Sequence, residues 1–413
     1  MRIFFSAGEP SGDVHAAALI AKIREHVPDA EFVGFGGDQM RQAGCRLLFD
    51  MTAFAFMGLL QVFKNYFKFR NLLKEAKIYF QTQSVDAVIL VDYPGFNWHV
   101  ARMAKELGIP VFYFMPPQIW SWAQWRVGKM KKWVDLILSP LPFEQRWFKQ
   151  QGCPTVYIGH PFFEEIRNKT SDPAFLESFY NQYGNAPILT LLPGSRNQEV
   201  KANLDDMLLT VEYIRSILPK IQPVFSPFNT AHAELIQKRL NELEVSIPIF
   251  VGHTSELIRA ADCCFAVSGS VSLELLACNK PTVIYYRVGL LPMLIQRFFR
   301  KTRYITLVNL LGVDRQPSAK NAKTDKSPIF YEDSMRLIPS EPSLADRNRM
   351  FFPEFLTATD RSKDAAAYFI HWLSNPSHLA IQKRQLAALL RNVDRINSPL
   401  EQAAQTIINR VES

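Results

Sequence analysis

The sequence lacks the features of disulfide-stabilised, secreted and membrane-spanning proteins. Its five cysteines are an odd number without C-x-x-C spacing, which argues against a disulfide framework or a zinc ribbon. No run of about 18 apolar residues occurs, so no transmembrane helix is expected. The apolar stretch 3–7 is too short for the core of a signal peptide. These absences indicate a reducing, cytoplasmic compartment.

Several motifs of known catalytic sites are also missing. The sequence contains no D-x-D triplet, no H-E-x-x-H and no G-x-S-x-G. A metal-dependent sugar-nucleotide site of the D-x-D type, a zinc protease site and a hydrolase elbow are therefore not expected. Scattered histidines are interpreted as structural residues, and neither a metal nor another cofactor is expected.

Composition and charge fit a soluble globular protein with an anionic partner. Hydrophobic residues make up 48% and charged residues 21% of the 413 residues, enough for two domains with separate cores. The net charge of +8 favours binding to a nucleotide, a phospholipid surface or a nucleic acid. Charge alone does not choose among these partners.

Short apolar runs alternate with helical patterns along two stretches of the chain, which predicts parallel sheets with helices on both faces. Two such arrays predict an α/β protein with two doubly wound Rossmann-like domains that face a cleft. The expected strands of the first array are 2–7, 31–35, 87–91, 111–115 and 136–139. Those of the second array are 188–192, 222–226, 247–251, 263–267 and 282–286.

The expected domain limits are 1–170 for the first domain and 186–375 for the second. The second domain contains a polar, proline-bearing insertion at 313–350. The remaining residues, 376–413, carry an apolar stripe and are expected to form a helical tail.

Three turns that follow expected strands carry polar chemistry at the edge where parallel sheets bind ligands. In SAGEPSGD (6–13), which matches neither Walker A nor G-x-G-x-x-G, glycines allow close approach of a ligand and Glu9 supplies a carboxylate. The alternative, that Glu9 and Asp13 only complement a helix N-terminus, has equal weight. In LVDYPGFN (90–97), Asp92 is placed as an acid or base, although an Asx-type turn is the better local explanation.

In VSGSVSLELL (267–276), a Ser-Gly-Ser sequence leads from a strand into a helix. Backbone N–H groups at such a helix start bind a phosphate or the edge of uracil. Glu274, one turn later, is placed to accept hydrogen bonds from ribose hydroxyls. Compensation of the helix dipole explains Glu274 equally well on local grounds.

The stretch ILTLLPGSRNQEV (188–200) places an arginine where a helix is expected to begin. Ser195 is the expected N-cap, with Gln198 completing a capping box. Arg196 then occupies the first helical position, where a cation is mildly unfavourable. Either Glu199 balances this charge, or an anion binds at the helix end and Arg196 holds it.

A basic, amphipathic helix rich in phenylalanine is expected over 59–77. Such a helix suits a membrane surface or a lipid acceptor, and an ordinary core-facing helix with a solvated basic side has about equal weight. The candidate membrane or acyl-chain contacts are Phe56, Met57, Leu59, Leu60, Val62, Phe63 and Phe67.

Together these stretches resemble lipid-A-disaccharide synthase, the glycosyltransferase family of lipopolysaccharide assembly. The matching motifs occur in the family's order and cover nearly the whole chain outside 313–350. They are AGEPSGD (7–13), FVGFGG (32–37), FMGLLQVF (56–63), DYPGFN (92–97), PPQIWSW (116–122), LPFEQRWF (141–148), GHP (159–161), LLPGSR (191–196), SGSVSLE (268–274), YRV (286–288) and VNLL (308–311).

The resemblance implies a glycosyltransferase-B fold without a catalytic metal. The family transfers 2,3-diacylglucosamine from UDP-2,3-diacylglucosamine to the 6-hydroxyl of 2,3-diacylglucosamine 1-phosphate (lipid X), giving a β-1,6 disaccharide and UDP. The implied partners are these two lipids and the cytoplasmic face of the inner membrane, with no nucleic acid, and a homodimer is left open. The helical tail is expected to cross back to the first domain.

The resemblance also implies residue roles. Asp92 would be the general base, Arg196 would neutralise charge on the leaving UDP, and Glu9 would line the cleft near the reacting sugars. The implied substrate- and UDP-binding residues are Gly8, Ser11, Gly12, Gly194, Ser195, Ser268, Gly269, Ser270, Glu274 and Asn309.

Some positions depart from the family pattern. The second aspartate of D-x-P-D-F is Gly95 here, so Asp92 is expected to act without a carboxylate partner. The other departures are Pro116, Ala123 and Val308. Two alternatives remain open: an enzyme like UDP-N-acetylglucosamine 2-epimerase, and a non-catalytic protein that binds UDP and lipid.

Overall fold

The chain folds into two compact α/β units. The computed structural model describes residues 1–52, 66–290, 292–293, 302, 304–313 and 350–412. Unit 1 comprises Met1–Glu164 and Asp394–Ser413, and unit 2 comprises Glu165–Val393.

Unit 1 is built on a parallel sheet of seven strands in the order β3-β2-β1-β4-β5-β6-β7. The strands are β1 Arg2–Ala7, β2 Glu31–Gly36, β3 Arg46–Asp50, β4 Ala87–Val91, β5 Val111–Phe114, β6 Leu136–Ser139 and β7 Thr155–Tyr157. The helices up to the unit boundary are α1 Pro10–His26, α2 Asp38–Gln42, α3 Tyr66–Thr82, α4 Pro94–Glu106, α5 Ile119–Trp122, α6 Val127–Trp133, α7 Pro142–Gln150 and α8 Pro161–Asn168. Central strand β4 reads AVILV and is buried throughout, as expected where helices cover both faces of a parallel sheet.

Unit 2 has a parallel sheet of five strands in the order β12-β11-β10-β8-β9. Its strands are β8 Ile188–Leu192, β9 Gln222–Phe225, β10 Cys263–Ala266, β11 Thr282–Arg287 and β12 Glu354–Thr357. Its helices are α9 Pro173–Tyr183, α10 Asn197–Ile217, α11 Thr230–Glu242, α12 Thr254–Ala260, α13 Val271–Ala277, α14 Leu307–Val313, α15 Ser362–Leu373 and α16 Pro376–Val393.

The end of the chain is divided between the units. Helix α16 belongs to unit 2, whereas the last helix, α17 Pro399–Val411, belongs to unit 1. Ala403 and Ile407 of α17 are buried in the same core cluster as Leu19 of α1. The expected tail 376–413 is therefore not one piece. The chain passes back to unit 1 only at Asp394, because the apolar side of α16 is buried in unit 2.

The predicted strands match the structure where the sequence is apolar and differ at the sheet edges. Strands β3, β7 and β12 were not predicted, because β3 reads RLLFD, β7 is only three residues long, and β12 reads EFLT with a charged residue at its start. The expected strand 247–251 is wrong, since this segment makes only an isolated bridge between Ile249 and Phe225.

Two helices begin at a proline that directly follows a strand-end turn. Helix α1 starts at Pro10 and α4 at Pro94, because proline is favoured in the first helical turn, where its missing N–H has no partner to lose. Ser11 and Gly12, expected in a ligand-binding loop, therefore lie in the first turn of α1.

The expected membrane-contact helix lies largely outside the described residues. Phe56, Met57, Leu59, Leu60, Val62 and Phe63 fall there, and Phe67 is described only as helical backbone in α3. Most of the expected insertion, 314–349, is likewise outside the described part. No helix within the described ranges is long and apolar enough to cross a membrane.

Each sheet has a point where the chain changes direction along the strand order. In unit 1 this point lies between β1 and β4, and in unit 2 it lies between β8 and β10. Ligands of doubly wound sheets bind beyond the carboxyl ends of the strands at such points. The turns after β1, β4, β8 and β10 therefore position the candidate site residues.

Candidate active site

The turn after β4 holds two residues in a backbone conformation that is rare outside glycine. Asp92 has φ 42° and Tyr93 φ 44°, and after the neighbouring strand β5 Met115 has φ 52°. Left-handed conformations of this kind cost about 1–3 kcal/mol each and persist only where the surroundings enforce them. Their clustering at the switch point of unit 1 marks this edge as a candidate site.

Buried hydrogen bonds enforce the conformation of Asp92. The Asn97 side-chain amide donates to the Asp92 carbonyl oxygen at 2.7 Å. The same amide lies 3.2 Å from the carbonyl oxygens of Val91 and Ser6. Its own oxygen accepts from the Ser6 hydroxyl at 2.6 Å, which fixes the orientation of the amide. The Tyr113 hydroxyl donates to the Asp92 carbonyl oxygen at 2.6 Å, so the backbone that carries the carboxylate is held from both sides.

The Asp92 carboxyl is half-buried, and its pKa lies far above that of a free aspartate. Burial is the main cause and the nearby Glu9 carboxylate adds to it, which together raise the pKa of Asp92 to about 6 against a weaker opposing hydrogen bond from the Tyr93 backbone. Glu9 itself is exposed and is the N-cap residue of α1. The structure thus brings two of the predicted site residues, Glu9 and Asp92, into electrostatic contact.

The predicted glycines of this edge differ in what they do. A Cβ on Gly8 would lie 2.2 Å from the Tyr93 ring, so Gly8 leaves the space that this ring occupies. A Cβ on Gly12 would have no neighbour closer than 3.7 Å, and one on Gly95 none within 4 Å. Close packing therefore requires glycine at position 8, and the departure at Gly95 relieves no steric conflict. Ser11 is exposed on α1.

Asp13 has a structural role. Its carboxylate accepts backbone N–H groups of Gly37 at 2.8 Å, Gln39 at 2.9 Å and Met40 at 3.1 Å. These groups lie at the start of α2, where a carboxylate is favoured. For Asp13 the helix-complementing interpretation is correct, although the helix concerned is α2 and not its own.

A second buried carboxyl lies near Asp92 and was not predicted. Glu144 is 1% exposed, with Oε1 accepting from the Trp120 indole N–H at 2.8 Å and Oε2 from the Ser139 hydroxyl at 2.6 Å. Burial raises its pKa to about 7 against these two hydrogen bonds, and the Asp92 carboxylate contributes to the rise. No hydrogen bond joins the two carboxyls within the described residues, and the expectation that Asp92 acts without a carboxylate partner stays a prediction.

In unit 2, the turn after β8 begins its helix one residue later than predicted. Arg196 is the N-cap of α10, and the carboxylate that folds back on the cap belongs to Glu199. Glu199 Oε2 accepts from the backbone N–H of Ser195 at 3.0 Å and of Arg196 at 3.2 Å. The expected cap of Ser195 with Gln198 is wrong, because Glu199 places one carboxylate on two N–H donors.

Gly194 makes this arrangement possible. Its φ is 111°, in the region that favours glycine, and a Cβ there would lie 2.8 Å from Cβ of Glu199. The Ser195 N–H, which was expected to bind a diphosphate, is already donated to the Glu199 carboxylate.

The Arg196 guanidinium confirms the charge balance by Glu199, whereas its contact with an anion stays a prediction. Its Nη1 donates to Glu199 Oε1 at 2.9 Å, so Glu199 balances its charge. The Arg196 side chain is nevertheless 78% exposed, whereas that of Glu199 is 9% exposed. The guanidinium thus remains accessible to an anion on the surface of unit 2, while Glu199 orients it from below.

The turn after β10 carries the predicted Ser-Gly-Ser sequence. Ser268 is half-buried, with its hydroxyl 3.4 Å from the Ile305 carbonyl oxygen, and Gly269 and Ser270 are exposed immediately before α13. Glu274 lies one turn into α13 and is 9% exposed. One of its carboxylate oxygens accepts from the Ser255 hydroxyl at 2.5 Å. The carboxylate is thereby oriented, and its assignment to a ribose stays a prediction.

Asn309 is buried on α14 with its amide engaged within unit 2. Its Nδ2 donates to the Phe352 carbonyl oxygen at 2.7 Å and to the Glu354 carboxylate at 3.0 Å. Its oxygen accepts from the Phe352 N–H at 2.9 Å. These bonds attach α14 to the start of β12. Contact of Asn309 with a donor substrate stays a prediction.

Comparison with known proteins identifies the family. The family described as lipid-A-disaccharide synthetase matches residues 3–329, which include every candidate site residue. The chain belongs to the lipid-A-disaccharide synthase family. It is accordingly a hexosyltransferase of lipid A disaccharide synthesis.

Curated relatives of the lipid-A-disaccharide synthase family match over most of their length. The lipid-A-disaccharide synthase of Myxococcus xanthus (strain DK1622) is 35% identical over 311 residues, which cover 75% of this chain and 81% of the relative. Lipid-A-disaccharide synthase 1 of Legionella pneumophila (strain Lens) is 29% identical over 392 residues, 94% of this chain and 92% of the relative.

Solved structures support the two-domain fold. The UDP-GlcNAc 2-epimerase of Neisseria meningitidis, bound to UDP-GlcNAc, superposes with a TM-score of 0.60 at 10% identity, covering 99% of this chain and all of that one. Acinetobacter baumannii MurG superposes with a TM-score of 0.53 at 12% identity, covering 100% and 99%. At these identities the likeness concerns the fold alone, and it is the glycosyltransferase-B fold expected for a lipid-A-disaccharide synthase.

Residues that the sequence analysis missed share one property, which is that they act on other residues of the chain. Asn97 and Tyr113 hold the Asp92 backbone, and Glu144 anchors Trp120. Asn97, Glu144 and Trp120 stand within motifs shared with the lipid-A-disaccharide synthases, in DYPGFN, LPFEQRWF and PPQIWSW. Their presence in those motifs was the available signal.

Proposed function

We propose that the protein transfers 2,3-diacylglucosamine from UDP-2,3-diacylglucosamine to the 6-hydroxyl of lipid X, giving lipid A disaccharide 1-phosphate and UDP. Membership of the lipid-A-disaccharide synthase family supports this choice of substrates. The observation that carries the mechanism is the Asp92 carboxyl, fixed at the end of β4 with a pKa of about 6. A base of this strength is suited to proton transfer near neutral pH.

In this mechanism Asp92 removes the proton of the 6-hydroxyl as its oxygen attacks the anomeric carbon of the donor. The bond between that carbon and the UDP oxygen breaks at the same time, and UDP leaves with the bonding electrons. Attack from the side opposite UDP gives inversion and a β-1,6 linkage. Because the pKa of Asp92 lies near 6, the group is mostly ionised at pH 7 and is a stronger base than an ordinary aspartate.

Arg196 is proposed to neutralise the negative charge on the departing diphosphate. Its exposed guanidinium, oriented by the buried Glu199, supports a charge-assisted contact with a phosphate oxygen. The backbone of 268–270 is proposed to bind the uridine end, and Glu274 the ribose. Since a cation of the chain takes the neutralising role and the sequence lacks D-x-D, we propose a reaction without a metal or another cofactor.

Glu144 is proposed as a positioning residue in this reaction. It accepts a hydrogen bond from the Trp120 indole N–H, and the negative charge of Asp92 contributes to the raised pKa of its carboxyl. Because Glu144 has the higher pKa, Asp92 ionises first as pH rises, and its negative charge delays the ionisation of Glu144.

Because both proposed substrates are lipids, we expect the reaction to take place at a membrane surface. We propose peripheral association with the cytoplasmic face of the inner membrane, with the predicted contacts between Phe56 and Phe67 reaching the acyl chains. No nucleic acid is proposed as a partner, and a homodimer remains an open expectation.

The proposed function is tested by incubating the purified protein with UDP-2,3-diacylglucosamine and lipid X dispersed in detergent. Disaccharide and UDP should form in equal amounts, and chelation of divalent cations should leave the rate unchanged. Release of UDP without lipid X, together with 2-epimerised sugar, would indicate an epimerase-like enzyme. Binding of both lipids without any product would indicate a non-catalytic homologue, and the transferase proposal would then be wrong.

A further inference from the structure

The short helices between β5 and β6 expose aromatic and basic side chains on the surface of unit 1. Trp122 is 43% and Trp125 66% exposed, and Lys129, Lys131 and Lys132 are exposed as well. The stretch 115–134 contains no aspartate and no glutamate. We name the tryptophan–lysine face by its members, Trp122, Trp125, Arg126, Lys129, Lys131 and Lys132.

This face stands on a rigid base. Trp120 is 1% exposed and its indole N–H is bound to the buried Glu144, while Ala123 and Met130 are fully buried. Between these anchors α5 and α6 are joined by one turn of 3-10 helix at Gln124–Arg126. The exposed tryptophans therefore project from a preformed scaffold, so that a partner need not bear the cost of ordering the segment.

The cations lie at the level of the aromatic rings. The Arg126 guanidinium carbon lies 4.9 Å from the centre of the Trp122 ring, and Lys129 Nζ lies 5.9 Å from that of Trp133. Trp122 and Trp125 meet edge to face, with ring centres 6.2 Å apart. Amphipathic indoles beside cations are the combination that the headgroup region of an anionic bilayer accommodates, with rings among the glycerol groups and cations on phosphates.

Neighbouring helices add positive charge to this side of unit 1. Burial is the main cause that lowers the pKa of His99, and the charges of Lys129 and of Arg102 on α4 lower it further. The pKa of Glu106 is lowered mainly by its hydrogen bond with Arg102, and Lys77 of α3 and Lys132 also lower it. The acids nearby are already paired, Glu106 with Arg102 and Asp135 with Lys105. Among the described residues, Lys129, Lys131 and Lys132 have no carboxylate partner.

We propose that the tryptophan–lysine face docks unit 1 on a bilayer containing anionic phospholipid, with Trp122 and Trp125 inserted at the interface and the cations bound to lipid phosphates. This rests on the proposed function, whose substrates are lipids. It assigns the contact with phospholipid headgroups to residues distinct from the segment between Phe56 and Phe67, which is proposed to reach the acyl chains. The charge complementarity favours a phospholipid surface over a second copy of this chain, which carries a net charge of +8.

Sedimentation with vesicles tests the proposal without any substrate. The protein should bind vesicles of phosphatidylcholine with phosphatidylglycerol, bind pure phosphatidylcholine weakly, and lose binding as salt is raised. A Trp122→Ser/Trp125→Ser variant should bind the anionic vesicles at least about tenfold more weakly, in line with the burial of two aromatic rings. Lys131→Gln/Lys132→Gln should lose about fivefold per cation, the equivalent of about 1 kcal/mol each.

Matched controls come from unit 2. Phe228 is 70% exposed, so Phe228→Ser removes an aromatic side chain that is more exposed than either tryptophan. Lys220→Gln/Lys238→Gln removes two exposed cations. Both controls should bind vesicles as the unmodified protein does. Thermal unfolding of every variant shows whether the fold is retained.

Tryptophan fluorescence supplies a second readout. Binding to vesicles with brominated acyl chains should quench emission of the unmodified protein, and a Trp122→Phe/Trp125→Phe variant, which keeps the ring area, should lose most of that quenching. Unchanged vesicle binding of the double serine variant would overturn the proposal. A dimer that this variant dissociates, with vesicle binding unaffected, would also overturn it and assign the face to contact between copies.

The outcome is separable from that of the proposed function. Transfer between detergent-dispersed lipids should stay within about twofold in the double serine variant, because docking on a bilayer adds no contact to the transition state of the reaction. Loss of transfer in detergent with intact vesicle binding would place the tryptophans in the substrate site and overturn the docking proposal. Absence of transfer in the unmodified protein, with vesicle binding as expected, would contradict the proposed reaction and leave the docking proposal supported.

Discussion

The two units share one architecture, and in both the candidate site residues follow the strands of a parallel sheet. The surroundings of their carboxyl groups are opposite. In unit 1, Asp92 after β4 and Glu144 on α7 form no ion pair with any cation of the described residues, and burial raises the pKa of Asp92 to about 6 and that of Glu144 to about 7. In unit 2 the edge between β8 and β10 carries carboxylates held by donors. Glu199 accepts two backbone N–H groups and the Arg196 guanidinium, and Glu274 accepts the Ser255 hydroxyl.

Under the proposed function, this difference assigns proton transfer to unit 1 and charge neutralisation to unit 2. A carboxyl that is buried without a cation stays protonated to higher pH and is a stronger base once ionised. A carboxylate satisfied by donors stays ionised and orients its neighbours, which at Arg196 leaves an exposed cation for an anionic ligand. The backbone conformations differ between the two edges as well. The turns after β4 and β5 hold the non-glycine residues Asp92, Tyr93 and Met115 in the left-handed region, whereas the turn after β8 has Gly194 at positive φ.

The largest effect is expected from Asp92→Asn. The carboxamide keeps the size of the side chain and cannot accept the hydroxyl proton, so the turnover number should fall by about 10²–10⁴-fold. UDP affinity should change little, since the proposed UDP contacts belong to unit 2. Product formation and calorimetric UDP titration measure the two quantities separately.

Asn97→Ala is the informative companion to that variant. It leaves the Asp92 carboxyl in place and removes the amide that holds its backbone, so a partial loss of turnover is expected. Turnover of Asp92→Asn equal to that of the unmodified protein would remove Asp92 from the role of base.

A smaller loss is expected from Arg196→Ala. Removal of one preorganised group that meets developing charge typically costs about 10²–10³-fold in the turnover number. The fold should tolerate the change within about 0.5 kcal/mol, because the side chain is 78% exposed. Steady-state kinetics and chemical unfolding measure the two effects.

The matched control for Arg196 is Arg239→Ala in the same unit. Arg239 is also ion-paired on a helix, with Asp205 at 2.8 Å and Glu242 at 2.9 Å, and has no proposed catalytic role. Equal kinetics in the two variants would show that Arg196 contributes only surface charge. Partial recovery in Arg196→Lys is expected, since an ammonium supplies charge without the planar fork.

These comparisons also show what the sequence was able to predict. Buried strands such as AVILV of β4 were predicted because a parallel sheet covered on both faces requires continuous apolar runs. The turns after β1, β4, β8 and β10 were predicted as sites because the carboxyl edge of such sheets is known in advance. Strand β3, RLLFD, was missed because a half-buried edge strand follows no such rule.

What could not be predicted depends on contacts between distant segments. The carboxyl of Glu144 meets Trp120 and Ser139 only after β6 and α7 are in place, so no local pattern shows that it is buried. The prediction of the α10 cap failed for a local reason. Gln198 and Glu199 are both suitable to fold back on a helix N-terminus, and in the structure Glu199 accepts from two N–H groups there.

The third prediction concerns stability. The pKa of Glu144 rises from 4.5 to about 7 on folding, so the folded state binds its proton more tightly than the unfolded state. Its contribution is therefore complete below pH 4.5 and is lost as pH rises towards 7. Glu144→Gln removes this dependence, and its free energy of unfolding relative to the unmodified protein should rise by roughly 3 kcal/mol over that window.

Urea unfolding at several pH values measures this difference. Glu242→Gln, which alters an exposed surface carboxylate of unit 2, provides the control and should show no comparable trend. A difference between Glu144→Gln and the unmodified protein that is independent of pH would mean that folding leaves the pKa of Glu144 unchanged. The two edges would then not differ in the way that burial predicts.

The smallest effect is expected from Glu9→Gln, and it divides the two causes of the raised Asp92 pKa. Burial is the larger cause and the Glu9 carboxylate the smaller, so loss of the Glu9 charge should lower the pKa of Asp92 without returning it to that of a free aspartate. The base would then be ionised at lower pH, and the acid limb of kcat/KM should move in that direction. Because Glu9 is exposed, added salt should screen its charge and move the limb of the unmodified protein the same way. Salt should have little effect on the limb of the Glu9→Gln variant. A limb that neither change moves would leave burial as the sole cause, and the contrast between the two edges would then depend on desolvation without any pairing of carboxylates.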